Sequence, residues 1–166
     1  MHSNKGFTLL ELLIAAAIIG SLVVLATSSY RSNMAETYLA AAKGQTEMLG
    51  EAARRFVLEN RVSSRTAGKM ETLADSNDRS KCKLNKLDIN SLIYCEYVEN
   101  SGWDNPYFNF YICTGNNNCS ASSTVTNKIG VPLAYMKGTG HARMPDKYGE
   151  NYRYWVGTLG TYEVLP

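Results

Sequence analysis

One carboxylate, Glu11, lies inside an otherwise apolar segment near the start of the chain. The 20 residues from Phe7 to Ala26 include no other charged side chain. On insertion scales a carboxylate at the centre of a membrane helix costs about 2.5–3.5 kcal/mol, and such a group usually has a cationic partner and a function. The chemistry that Glu11 offers is therefore ion pairing at bilayer depth. The alternative is a side chain that snorkels to a membrane surface without a specific partner.

Four cysteines follow the apolar segment, and an even number in a domain beyond a membrane suggests two disulfides. Cys113 and Cys119 flank the short, turn-rich stretch TGNNN, which makes them the first pair and leaves Cys82 for Cys95. The rival pairing, Cys95 with Cys113, would cross-link two strands of a hairpin. The spacing contains no CxxC, so we expect no zinc site.

The remaining polar residues do not form a recognisable catalytic set. Outside the first six residues the one histidine is His141, in a Gly-rich loop, and no GxSxG, HExxH or phosphate-loop pattern is present. Asp75, Asn77 and Asp78 resemble part of a calcium loop but lack a full ligand set, which favours a polar turn. We therefore predict no catalytic residue, no metal site, no cofactor and no enzymatic activity.

The formal net charge is +2, from 17 basic and 15 acidic side chains, and the sequence shows no basic patch. Nucleic-acid binding accordingly has little support from the charge distribution. At 166 residues the chain has room for one modest core.

A long N-terminal helix must position Glu11. Twenty helical residues span about 30 Å, one hydrocarbon thickness. The helical pattern then continues to about residue 60, because one apolar face recurs at steps of three and four. We predict a single helix over about 7–60, whose first half faces lipid or sister helices and whose second half packs on a sheet. The face consists of Met34, Tyr38, Ala41 or Ala42, Gln45, Leu49, Ala52 and Phe56.

The rest of the chain predicts a small antiparallel sheet of three to five strands. Residues 91–99 and 107–113 alternate as the strands of a hairpin, 124–136 suggest a weaker strand, and a final strand pair turns around 157–160. A one-turn helix is expected near 70–74. Five aromatic residues are expected to pack in the sheet core rather than to form a ligand surface: Trp103, Tyr107, Phe108, Phe110 and Tyr111. The predicted fold class is therefore α+β.

The stretch KGFTLLELLIAAAIIGSLVVLA resembles the start of type IV prepilins and of the pseudopilins of type II secretion systems. The likeness comprises a basic leader residue, then Gly6 and Phe7, then Glu11 within a long apolar tail. It implies a type IV pilin-like fold and a leader over residues 1–6. A prepilin peptidase would cut before Phe7 and methylate the new amine. Residues 7–28 would form the transmembrane and filament-core half of the helix, and 29–166 the periplasmic or extracellular globular domain.

The resemblance also implies a function. Subunits would wait in the bacterial inner membrane as single-pass proteins and be assembled by membrane machinery into a homo-oligomeric helical filament at the cell surface. Glu11 would pair with the amine of Phe7 of a neighbouring subunit and set the register. Many major pilins have proline where Ser28 stands, so the resemblance leaves open whether this helix loosens between Gly20 and Ser29.

Three readings of the whole chain remain open at this stage. The first is a type IV pilus subunit serving adhesion, motility or DNA uptake. The second is a type II secretion pseudopilin or a minor pilin, and the third is a lone membrane-anchored binding module. Loops 114–124 and 137–151 would contact whatever the filament meets; binding to DNA or to a surface is not derivable from the sequence.

Overall fold

The structure is a computed structural model that describes residues 8–74, 78–113 and 119–165. Its first element is the helix α1, Leu9–Asn60, which confirms the long helix predicted over about 7–60. The chain divides into two compact units, one ending at Thr37 and the other beginning at Tyr38.

The first unit contains the N-terminal part of α1. Its large apolar side chains are exposed, from 52% at Ile14 to 77% at Leu9, so nothing within the unit covers them. The backbone remains helical from Gly20 to Ser29, and the hydroxyls of Ser21 and Thr27 donate back to helix carbonyls. By length and composition, α1 is the one helix in the described residues able to cross a membrane.

The second unit is built on the C-terminal part of α1. The buried stripe of this part lies close to the predicted face but is centred on different residues, because Tyr38 is 37% exposed whereas its neighbour Leu39 is buried. The stripe includes one polar residue, Thr46, whose hydroxyl donates to the Ala42 carbonyl at 2.8 Å and so needs no external partner. The fully buried apolar members are Ala42, Leu49, Ala53 and Phe56.

The strands are β1 Ser64–Arg65, β2 Gly68–Lys69, β3 Lys86–Leu87, β4 Phe108–Ile112, β5 Pro132–Gly138, β6 Arg153–Gly157 and β7 Gly160–Val164. Five of them form an antiparallel sheet in the order β2-β4-β5-β6-β7, and β1 pairs in parallel with β3. Two short helices interrupt them, α2 Ile89–Tyr94 and α3 Ser123–Ile129, together with 3₁₀ turns at Arg79–Lys81 and Asp146–Tyr148. The strand predicted at 107–113 and the final pair around 157–160 are confirmed.

The helix approaches the sheet closely at Gly50. A Cβ built there would lie 2.6 Å from Cγ1 of Val156, so the absence of a side chain is what permits the approach. Phe108 and Phe110 of β4 are fully buried, and Trp103 meets Phe110 edge-on at 5.7 Å. Three of the five aromatic residues expected in the core are thus buried, whereas Tyr107 and Tyr111 are half-buried.

The predicted strand at 91–99 is wrong, and so is the hairpin that it was to form with 107–113. Residues 89–94 form α2, because the carboxylate of Asp88 accepts a hydrogen bond from the Ser91 amide at 2.8 Å and caps the helix. Leu92 and Ile93 are both buried, which a strand with one buried face does not allow. β4 pairs instead with β2 and β5.

Two further local predictions require correction. The weak strand expected at 124–136 is half helix: the Ser122 hydroxyl caps α3, Gly130 ends it at a φ of 71°, and β5 begins at Pro132. No helical turn forms over 70–74; Met70 instead extends the β2 pairing by donating its amide to the Phe110 carbonyl at 2.7 Å.

Candidate functional site

Glu11 takes part in a capping box at the start of α1. Its Oε2 accepts from the Thr8 amide at 2.8 Å and from the Thr8 hydroxyl at 3.0 Å. The Glu11 amide in turn donates to the Thr8 hydroxyl at 3.3 Å. These are the reciprocal bonds of a Thr-x-x-Glu box, which satisfy amides that a helix start leaves without partners. The cap is made through Oε2, and Oε1 takes no part in it.

The capping role of Glu11 could have been predicted from the sequence, because Thr8-Leu9-Leu10-Glu11 has the spacing of a capping box. The prediction considered the charge alone and missed it. Gly6 and Phe7, predicted as the processing residues, lie outside the described residues.

In the structure Cys82 is bonded to Cys95, and Cys113 is bonded to Cys119. The first bond joins the residue after the 3₁₀ turn at Arg79–Lys81 to the residue that ends α2. Both sulfurs of the second pair belong to a buried cluster with Trp155. Residues 114–118, most of the loop expected to be exposed between that pair, lie outside the described residues.

The described ranges contain no group of three or more His, Cys, Asp or Glu side chains that could hold a metal ion. Of the partial calcium pattern, Asp75 and Asn77 lie outside the described residues. Asp78 caps the following 3₁₀ turn by accepting from Ser80, and this bond lowers the pKa of its carboxyl. His141 is half-buried, and its Nδ1 accepts from the Arg143 amide at 3.1 Å.

Polar bonds fix the second part of α1 to the last two strands. Lys43 Nζ lies 2.8 Å from Glu163 Oε2, and the Tyr152 hydroxyl donates to the other oxygen of Glu163 at 2.9 Å. The Tyr154 hydroxyl donates to Glu47. Burial first, and then this bond, raise the pKa of Tyr154 to about 12. Sequence patterns give no signal for these contacts, since Lys43 and Glu163 are 120 residues apart.

Comparison with known proteins bears on the N-terminal segment. Residues 1–27 match the family described as the prokaryotic N-terminal methylation motif. Over this segment the chain is similar to type IV pilins. Two curated relatives, both named fimbrial protein and both from Pseudomonas aeruginosa, are 41% identical to this chain over 68 residues. That match covers 40% of this chain and 44% of each relative, so the chain spans less than half the length of those relatives. No solved structure matches.

Proposed function

We propose that this protein is a structural subunit of a type IV pilus and has no enzymatic activity. Residues 1–6 are removed before Phe7, the new amine is methylated, and residues 7–28 hold the subunit in the inner membrane until it joins the filament. The observation that carries the proposal is the exposed apolar start of α1, with Glu11 as its lone charge, within a segment that matches the methylation motif.

The exposed apolar helix needs a partner in both states of the subunit. Contiguous apolar surface of this extent is unfavourable in water, and a helix can lie in lipid because its backbone bonds are satisfied internally. Bundling of the same segments from many copies covers the same surface after extraction from the bilayer. One segment thus serves as membrane anchor and as filament core.

Glu11 then decides how the copies align. In an apolar bundle its carboxylate needs a cation, and processing creates one at the amine of Phe7, whose unperturbed pKa is about 8. Removing one partner of a buried ion pair costs about 3–5 kcal/mol, so a subunit at the wrong axial offset leaves two charges unpaired and is disfavoured. Oε1, which the cap does not use, is the oxygen available to the neighbour's amine.

A pseudopilin of a type II secretion system or a minor pilin is the second candidate. The name of the two relatives, fimbrial protein, favours the pilus, and the disulfide-bounded Cys113–Cys119 loop is consistent with it. A lone membrane-anchored module has less support, because it would not need a methylation motif. Exposed residues of the loops predicted over 114–124 and 137–151, such as Ser120, Ala142 and Arg143, would be available for contacts outside the filament.

Two measurements on the native host test the proposal. Mass spectrometry of the purified protein should show loss of residues 1–6 and one added methyl group, and a Gly6→Leu variant should retain the leader. Proteomics of sheared surface fibres should identify the processed chain as their main protein. An intact Met1, or fibres that lack the chain while secretion of other proteins depends on it, would overturn the pilus assignment.

A further inference from the structure

The five-stranded sheet has a second face, opposite α1, which we call the outer face. Gly50 of α1 lies against Val156 and Ala134, so the helix covers the face to which those side chains belong. Successive strand residues alternate between faces. Tyr135 and Trp155, their sequence neighbours, therefore belong to the outer face.

α3 covers only one side of the outer face. Val125 and Ile129 of α3 pack with Trp155 and the Cys113–Cys119 disulfide, and Tyr162 of β7 and part of Tyr135 of β5 lie against the same cluster. On β2, β4 and β5, the outer-face residues Lys69, Asn109, Tyr111, Tyr135 and Lys137 are half-buried or exposed, whereas Leu133 is buried.

Three aromatic rings form a ladder across this face. Tyr111 and Tyr135 stack with centroids 4.6 Å apart and planes 7° apart, and Tyr135 stacks on Trp155 at 4.5 Å and 23°. Tyr135 therefore has a ring against each of its two faces, and the ladder presents ring edges and hydroxyl groups. Burial first, and then Tyr111, raise the pKa of Tyr135, whereas the nearby Arg153 lowers it.

Three cations flank the ladder. Lys69 of β2 is directly opposite Tyr111, and Lys137 of β5 is directly opposite Arg153 of β6. The Arg153 guanidinium is fixed because it donates to the backbone carbonyls of Glu150 and Tyr152. None of the strand residues on the outer face within the described ranges is Asp or Glu. From β2 to β6 the cations span three strand spacings, or about 14 Å.

We propose that this cationic tyrosine face, comprising Lys69, Tyr111, Tyr135, Lys137 and Arg153, binds an acidic polysaccharide of the polyuronate class. The carboxylates of such a chain would form charge-assisted hydrogen bonds with the cations. The tyrosine hydroxyls supply donors to ring oxygens and sugar hydroxyls. The positive face without carboxylates is complementary to a polyanion.

The geometry favours a polyuronate over a single-stranded nucleic acid. Proteins that bind single strands hold the bases on free aromatic faces. Both faces of Tyr135 are occupied by neighbouring rings, as is one face of Tyr111. The carboxylates and hydroxyls of a polyuronate can instead be bound by the cations and the tyrosine hydroxyls, which the ring stacking does not occupy. This inference does not depend on filament assembly, so the failure of either proposal leaves the other standing.

The test measures binding of the full chain in neutral detergent to immobilised polygalacturonate. The variant Lys69→Gln/Lys137→Gln should weaken binding about tenfold to thirtyfold at low salt, since each cation near an anionic surface contributes about 1 kcal/mol. The matched control, Arg54→Gln/Lys83→Gln, removes the same net charge from exposed positions that are not on the outer face and should bind like the wild type. Tyr111→Phe keeps the ring stack but removes one hydroxyl, and we expect a smaller loss.

Binding at high salt and binding of other polymers test whether the interaction is ionic and whether it is specific for a polyuronate. Binding should disappear at about 1 M salt, where the Debye length is about 3 Å. Neutral dextran should not bind. The proposal is overturned if the wild type does not bind polygalacturonate, if both double variants lose binding equally, or if single-stranded DNA binds more tightly and depends on the same two lysines.

Discussion

Replacing Glu11 by Gln separates the two roles that the structure and the sequence give to this residue. Gln serves at the third helical position of a capping box as Glu does, so the variant can keep the bond from the Thr8 amide, 2.8 Å long in the native chain. It loses the negative charge. We expect Glu11→Gln to be inserted and processed normally but to fail in filament assembly.

The expected loss follows from the energetics of the two interactions. Without the carboxylate, the neighbour's amine is left unpaired in an apolar bundle, at about 3–5 kcal/mol per subunit. Because each 1.4 kcal/mol is a factor of ten, assembly should weaken by about two to four orders of magnitude. Thr8→Ala removes the capping hydroxyl but leaves the charge, and a lost N-cap costs about 0.5–2 kcal/mol. Thr8→Ala should therefore reduce fibre yield far less than Glu11→Gln.

The assay counts surface fibres by electron microscopy and measures the sheared fraction on immunoblots. Mass spectrometry of each variant confirms that the leader was removed, so that assembly is compared at equal maturation. Glu11→Ala removes both charge and cap and should resemble Glu11→Gln, because the charge dominates.

Two results would refute this reasoning. Normal fibre yield from processed Glu11→Gln would show that the carboxylate charge has no part in assembly. Loss of fibres from Thr8→Ala as severe as from Glu11→Gln would show instead that Glu11 acts as a helix cap.

Three further predictions concern the second unit, each measured by unfolding of the full chain in detergent. Gly50→Ala should destabilise this unit by about 1–3 kcal/mol, since the new Cβ would lie 2.6 Å from a side chain of β6. Gly44→Ala should instead stabilise it by about 0.5–1 kcal/mol, because a Cβ there meets nothing within 4 Å and alanine favours the helix. The pKa of Tyr154 is raised to about 12 in the folded protein, so its protonated hydroxyl contributes fully to the free energy of unfolding below about pH 10. This contribution is lost as the pH rises from about 10 through 12. The variant Tyr154→Phe should therefore make the loss of stability at alkaline pH less steep. Replacing Cys82 and Cys95 together by Ser opens a bond of sequence separation 13 and should lower stability by about 2–4 kcal/mol.

Each of these predictions has an outcome that contradicts it. Equal effects of Ala at Gly50 and Gly44 would mean that helix propensity, not the close approach to β6, decides both positions. An unchanged alkaline transition in Tyr154→Phe would assign that transition to other groups, of which Tyr152 is one because burial raises its pKa as well. A cysteine double variant as stable as the wild type would mean that the α2 region is held without its disulfide.

The elements that the sequence predicted well are those made by local interactions. The bonds of α1 join residues four apart, so a continuous apolar and then amphipathic pattern was enough to give its bounds within about two residues. The final hairpin, β6 and β7, is similarly local, with two residues between its strands. The capping box at Thr8 and Glu11 is local too, and its spacing could have been read directly.

The wrong secondary-structure predictions concern short segments whose residue types fit either a helix or a strand. Residues 91–99 are rich in aromatic and β-branched side chains, as strands are, yet the cap from Asp88 and the burial of Leu92 and Ile93 made a helix of their first part. Local preference differs little between helix and strand over six residues, so tertiary contacts decide.

The sequence by itself therefore determined the long helix, the lone carboxylate of its apolar start and the N-terminal methylation motif. Only the tertiary structure decided the strand order, the attachment of Glu163 to Lys43, and the meeting of Lys69, Lys137 and Arg153 on one face. The reason is physical: helical bonds are fixed by near neighbours, whereas a sheet joins residues far apart in the chain, and their meeting depends on the packing of the whole domain.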